Sequence, residues 1–70
     1  MAETSQLTER ECQVLLLLSQ GLSNRQIASA LRLSENTVKL HVAAIFRKLD
    51  VSSRTEAATT AVRRGIIALG

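Results

Sequence analysis

The sequence predicts an all-α domain of four helices. The chain of 70 residues has no proline and only three glycines, so few residues interrupt a helix. A serine or threonine precedes each of four stretches in which apolar residues recur three or four positions apart, as on one face of a helix. A chain of this length supports one small core. The sequence therefore predicts one domain over residues 7–70, preceded by a tail or linker at residues 1–6.

The first helix is predicted over residues 9–20. Thr8 and Glu11 have the spacing of a capping box, in which a hydroxyl and a carboxylate each accept a backbone N–H. Gly21 marks the helix end, because glycine readily takes the left-handed conformation that follows many helices. The face predicted to be buried carries Val14, Leu15 and Leu18.

The second helix is predicted over residues 24–31, after a capping box of Ser23 and Gln26. The next helix cap, Ser34, follows so closely that the turn between the two helices is expected to be very tight. The side chains predicted to be buried are Ile27, Ala28 and Leu31.

The third and fourth helices are predicted over residues 35–49 and 54–64. The third places its apolar residues four, three and four positions apart on one stripe, formed by Val38, Val42, Ile45 and Leu49. The fourth lies between a capping box of Ser53 and Glu56 and the glycine Gly65. Three apolar residues after it are expected to fold back on the core: Ile66, Ile67 and Leu69.

Charge and cysteine content narrow the function classes. The net charge is +3, and residues 24–54 carry six basic against two acidic residues, which suits a polyanionic partner. Cys12 and His41 are the only residues of their types, so neither a disulfide nor a typical zinc site is expected. The hydroxyl residues are explained as caps, which leaves no catalytic group. We expect a non-enzymatic protein without cofactor or metal.

The expected compartment is the cytoplasm, and no membrane partner is expected. A single cysteine suits a reducing environment. The longest apolar run, from Val14 to Leu18, is far too short to span a bilayer.

The second and third helices have the spacing of a helix-turn-helix, in which the second of the pair is presented to DNA. Five residues lie at helical spacing on its outward face: Asn36, Lys39, Leu40, Ala43 and Arg47. An amide, two cations and small apolar groups match the chemistry of base edges and thymine methyls. The alternative is an ordinary amphipathic surface helix whose cations face water.

Short motifs in an unbroken order carry a resemblance to a known family. They are Leu7-Thr8-x-Arg10-Glu11, Gly21-x-Ser23-Asn24-Arg25-x-Ile27-Ala28, Leu31-x-Leu33-Ser34, Thr37-Val38-Lys39-x-His41, Ile45-x-x-Lys48-Leu49-x-Val51-x-x-Arg54, Glu56-Ala57 and Gly65-Ile66-Ile67. From Leu7 onward the sequence resembles the C-terminal effector domain of the LuxR/NarL (GerE-like) transcription factors. The resemblance is strongest to members that are response regulators of two-component systems.

The resemblance implies double-stranded DNA as the partner. It implies base contacts by Lys39 and Leu40, and backbone or positioning contacts near the starts of the second and third helices. The residues expected at the DNA interface are Asn24, Arg25, Ser34, Glu35, Asn36, Thr37, Lys39, Leu40, His41, Ala43, Arg47 and Lys48. Ala43 departs from relatives with a long polar residue at this position, which limits a base contact from it to its methyl group.

The family also implies a two-fold dimer through the fourth helix, with contacts from Thr55, Thr59 and Val62. The alternative is a monomer in which this helix only packs. Further implied partners are RNA polymerase and a receiver or signal-binding domain that this chain has no room for. The chain is then either an excised effector domain, which we favour, or a stand-alone regulator.

Two rival functions remain open on the sequence. One is the promoter-reading helix-turn-helix of a sigma factor. The other is a protein-interaction module that uses Leu16, Leu17 and the fourth helix without DNA. The role of Arg54 is open as well, since it could pair with Glu56 or Asp50 or reach a phosphate.

Overall fold

The computed structural model describes residues 7–67 and shows four helices and no strand among them. The helices are α1 (Glu9–Ser19), α2 (Asn24–Leu31), α3 (Glu35–Leu49) and α4 (Arg54–Arg63). Their bounds agree with the sequence prediction to within one residue, which confirms the all-α fold class. None of the helices in the described part is both long and apolar enough to cross a membrane.

Each helix begins where a hydroxyl accepts the backbone N–H three residues further on, from Thr8, Ser23, Ser34 and Ser53. The capping boxes predicted for α1 and α2 are both complete. The box predicted for α4 is only half formed. The Glu56 carboxylate accepts from the backbone N–H and hydroxyl of Ser52 instead of the cap backbone, because Ser52 offers two donors to one oxygen.

The core lies where α1 packs against the other three helices, while α3 also contacts α2 and α4. Its buried apolar residues are Leu7, Val14, Leu15, Leu18, Ile27, Ala28, Val38, Val42, Ile45, Leu49, Ala57 and Ala61. Leu31, predicted to be buried, is half-buried. Ile66 and Ile67 pack against this core as predicted, and Leu69 lies outside the described residues.

The turn between α2 and α3 is as short as predicted, because Arg32 closes α2 and Ser34 already caps α3. Arg32 takes the left-handed conformation with φ 59°. The N–H of Leu33 then bonds the carbonyl of Ala28 at 2.9 Å, which satisfies an orphan acceptor at the helix end. The Leu33 side chain packs against the core and thereby fixes where α3 begins.

Candidate nucleic-acid interface

Helix α3 has one buried and one solvent-facing side. Val38, Ile45 and Leu49 are almost fully buried, which anchors the helix against α1 and α2. On the opposite side the five residues predicted for base contact are all exposed: Asn36, Lys39, Leu40, Ala43 and Arg47. We call these five residues the outer face of α3.

Leu40 is the most exposed large hydrophobic residue of the described chain, at 66%. Burying this side chain against a partner would release about 1.5–3 kcal/mol. A helix that only needed solubility would carry a polar residue here, whereas a thymine methyl is an apolar partner in the major groove.

The start of α3 supplies hydroxyls that are already paired. The Ser34 hydroxyl donates to the Thr37 hydroxyl at 2.8 Å and accepts the Thr37 N–H at 3.0 Å. Ser34 and Glu35 are exposed, and Thr37 is half-buried. The structure therefore gives Ser34 and Thr37 a capping role, and their contacts to DNA stay a prediction.

The start of α2 carries a positive side chain and no negative one. Arg25 is exposed, and the first turn of α2 contains no acidic residue, unlike the first turns of the other three helices. Positive charge here faces the positive end of the helix dipole without compensation, which favours an approaching anion. The amide oxygen of Asn24 accepts a hydrogen bond from Arg54 at 2.7 Å.

Arg54 pairs with neither of the carboxylates that the sequence offered. Its guanidinium donates to the Asn24 amide oxygen and to the Leu22 carbonyl. Of the alternatives left open for Arg54, pairing with Glu56 or Asp50 does not occur, because the guanidinium turns toward the start of α2 and Glu56 accepts from Ser52.

Lys48 forms an ion pair across the domain, with 2.8 Å between its Nζ and Oε1 of Glu11. Burial by itself raises the pKa of Glu11. The hydrogen bonds from Lys48 and from the backbone of Thr8, with the charges of Lys48 and His41, outweigh burial and hold this pKa below its ordinary value. The pair joins the start of α1 to the last turns of α3.

The sequence indicates only a capping role for Glu11 and only a DNA contact for Lys48. A capping box is a local signal, whereas a partner 37 residues away leaves none. The cap does indicate where a cation could bind, because the Glu11 carboxylate is held in place by the Thr8 N–H and can still accept from a cation. The phosphate contact of Lys48 stays a prediction.

His41 is half-buried beside this pair. Within residues 7–67, no group of three His, Cys, Asp or Glu side chains could hold a metal ion.

Helix α4 leaves an exposed strip on the side away from the core. Thr55, Thr59 and Val62 are all exposed, Val62 at 43%. A shallow, mostly apolar groove runs along the helix beside Ala58 and Arg63. Thr60, which sequence reasoning did not single out, is buried on the inner side, three residues after the buried Ala57. Helical spacing from Ala57 was the available signal.

Comparison with known proteins decides the class of this arrangement. The profile of the bacterial regulatory proteins of the luxR family matches residues 5–61. The chain belongs to the luxR family. It is 60% identical over 53 residues to the nitrate/nitrite response regulator protein NarP of Escherichia coli (strain K12), covering 76% of this chain and 25% of NarP.

Two further luxR-type relatives agree. The chain is 49% identical over 59 residues to the transcriptional regulatory protein DegU of Brevibacillus brevis, covering 84% of this chain and 25% of DegU. A solved structure of the transcription factor GerE superposes with a TM-score of 0.84 at 36% identity, covering 91% of this chain and 96% of GerE. The chain thus spans about a quarter of the length of the curated relatives it matches.

Membership of the luxR family makes this chain a non-enzymatic, DNA-binding helix-turn-helix domain of transcription regulation. The sigma-factor alternative is thereby rejected. The alternative of a protein-interaction surface at Leu16 and Leu17 loses one of these two residues, because Leu17 packs against the core.

Proposed function

We propose that this luxR-family domain is the output domain of a response regulator and binds DNA as a homodimer at two inverted half-sites. Each α3 lies in the major groove with its outer face against the bases, while the start of α2 contacts a phosphate. The observation that carries this is the outer face of α3, on which an exposed leucine lies among an amide and two cations.

Energetics favour two copies over one. Each good base contact discriminates by about 1–3 kcal/mol, so the few side chains of one outer face cannot separate an operator from a whole genome. Two domains related by a two-fold axis read twice as many base pairs, and the exposed strip of α4 offers the contact.

The relatives support the wider role. NarP is a response regulator, and this chain matches a quarter of its length, as expected of an output domain joined to a receiver. GerE, matched over nearly all its length, is the precedent for a stand-alone regulator. In either form the domain works in the bacterial cytoplasm and acts on RNA polymerase at the promoter.

The test is a selection of bound sequences from random duplex DNA with the purified chain at near-physiological salt. Two inverted half-sites about one helical turn apart are expected. Recovery of a single half-site would contradict the dimer, and recovery of no motif would contradict base reading by α3.

A further inference from the structure

The Arg54 guanidinium joins the starts of two helices that do not pack together. Its Nη1 donates to the Asn24 amide oxygen at 2.7 Å, and its Nη2 donates to the Leu22 carbonyl. Arg54 is the first residue of α4, and Asn24 is the first residue of α2. Within residues 7–67, α4 packs against α1 and α3 but not against α2. This side chain is therefore the direct link between α2 and α4.

The link determines which way the Asn24 amide faces. A guanidinium has donors only, so the atom of Asn24 that faces it must be the oxygen. The Nδ2 group then faces away from Arg54, and it forms no hydrogen bond within the described residues. Phosphate oxygens only accept, so a phosphate at the start of α2 requires this NH₂ group and is repelled by the amide oxygen.

The charge of Arg54 does not explain its position. Asp50 and Glu56 lie four and two residues away along the chain, yet no carboxylate of residues 7–67 is within ion-pair distance of Arg54. Both donors of the planar fork are directed instead at neutral oxygens, the amide of Asn24 on α2 and the carbonyl of Leu22 in the turn before it. Such a fork fixes geometry, because its two donors are held in one plane and each bonds a different acceptor.

We propose that Arg54 is a positioning residue of the DNA interface. It holds the Asn24 amide with Nδ2 turned outward, where it donates to a DNA phosphate at the start of α2, and Arg54 itself does not contact DNA. This inference rests on the proposed function, since it needs a phosphate at that place. The same two bonds tie the proposed dimer helix to the phosphate contact.

A double-mutant cycle on DNA affinity tests the proposal. The chain, Arg54→Lys, Asn24→Ala and the double variant are titrated with the selected duplex and with a random duplex. Lysine keeps the charge but lacks the planar fork whose two separate nitrogens donate to the two acceptors. Each single change is expected to weaken binding to both duplexes about tenfold, or about 1.4 kcal/mol, and the double variant no further. Arg64→Lys, at the other end of the same helix, is the matched control and is expected to bind normally.

Additive losses would overturn the proposal, because Arg54 would then act independently of Asn24. Normal binding by Asn24→Ala would overturn it as well. If the unaltered chain binds no duplex in a salt-dependent way, the proposed function fails and this inference fails with it. Additive losses in a chain that does bind DNA overturn this inference alone.

A second measurement covers the case in which Arg54→Lys fails to fold. The side-chain NH₂ resonances of Asn24 in the unaltered, isotope-labelled chain are followed by NMR during titration with the selected duplex. They are expected to shift strongly on binding, because the NH₂ group gains a charged acceptor. Resonances that stay unchanged at saturation would overturn the proposal.

Discussion

At the scale of single residues, exposure separates the side chains that we propose to read bases from those that support the fold. Leu40 and Lys39 face solvent on α3, whereas Lys48 is bound to Glu11. Sequence spacing predicted the first two because a helical face is a local property. It could not predict the ion pair, since nothing local relates residues on α1 and α3.

Replacing thymine by uracil removes only the C5 methyl group and tests the contact of Leu40. With the selected duplex, uracil at one or more half-site positions should weaken binding about fourfold, the value of one buried methyl group. Leu40→Ala should lose this discrimination, while Gln13→Ala, at an exposed position of α1, should keep it. Equal affinity for thymine and uracil at every position would show that Leu40 reads no methyl group.

Glu11→Gln should lower the free energy of unfolding at pH 7 by about 1–2 kcal/mol, because Lys48 loses a charged partner in a half-buried place. The cap survives, since Gln26 performs the same role in α2. Unfolding is measured in urea, with the exposed Glu9→Gln as the control.

The difference in unfolding free energy between the unaltered chain and Glu11→Gln should depend on pH, because the pKa of Glu11 is lowered in the folded state. The stabilisation is fully present above the unfolded pKa, about 4.3, and is lost as pH falls through the lower folded pKa. The difference in unfolding free energy between the unaltered chain and Glu11→Gln should therefore shrink below about pH 4. A constant gap from pH 7 to pH 3 would contradict the ion pair.

At the scale of elements, caps and turns determine where α3 is placed. The sequence predicts all four helix starts because the caps Thr8, Ser23, Ser34 and Ser53 are local signals. It did not predict that Arg32 and Asp50 take left-handed conformations, both at φ 59°. Arginine seldom adopts this region because its Cβ atom crowds the backbone, whereas aspartate adopts it more readily, and neither residue type by itself marks the position.

Arg32→Gly should raise the free energy of unfolding by about 1 kcal/mol, because glycine takes the left-handed region without steric cost. The matched control is Arg25→Gly inside α2, which should lower it by about 1 kcal/mol. Denaturant midpoints of both variants provide the measurement. A loss of stability in both would mean that Arg32 is not strained.

At the scale of the whole molecule, α3 and α4 each pack one face against the core and leave another face exposed. The inner residues Ala57, Thr60 and Ala61 are buried against the domain, so the outer strip is free for a second copy. The sequence indicated this strip through its spacing. The partner that covers the exposed strip of α4 is not predictable from one chain, because the other half of the interface belongs to a second molecule.

Val62→Glu should abolish the two-half-site complex and leave single half-site binding intact, because a charge on the strip opposes close helix approach. The affinity for the inverted repeat is expected to fall roughly a hundredfold, the usual gain from linking two binding events. Gln13→Glu, at an exposed position of α1, carries the same added charge as a control. An unchanged complex in Val62→Glu would place the dimer contact elsewhere.

The central claim is that the outer face of α3 meets DNA, and backbone NMR of the isotope-labelled chain titrated with the selected duplex tests it most directly. Binding is predicted to shift the amide signals of α3 from Asn36 to Arg47 and of the first turn of α2, while α1 around Leu16 stays unchanged. Shifts centred on Leu16 and Ile66, which line a second shallow groove beside α1, with α3 unaffected, would contradict the claim.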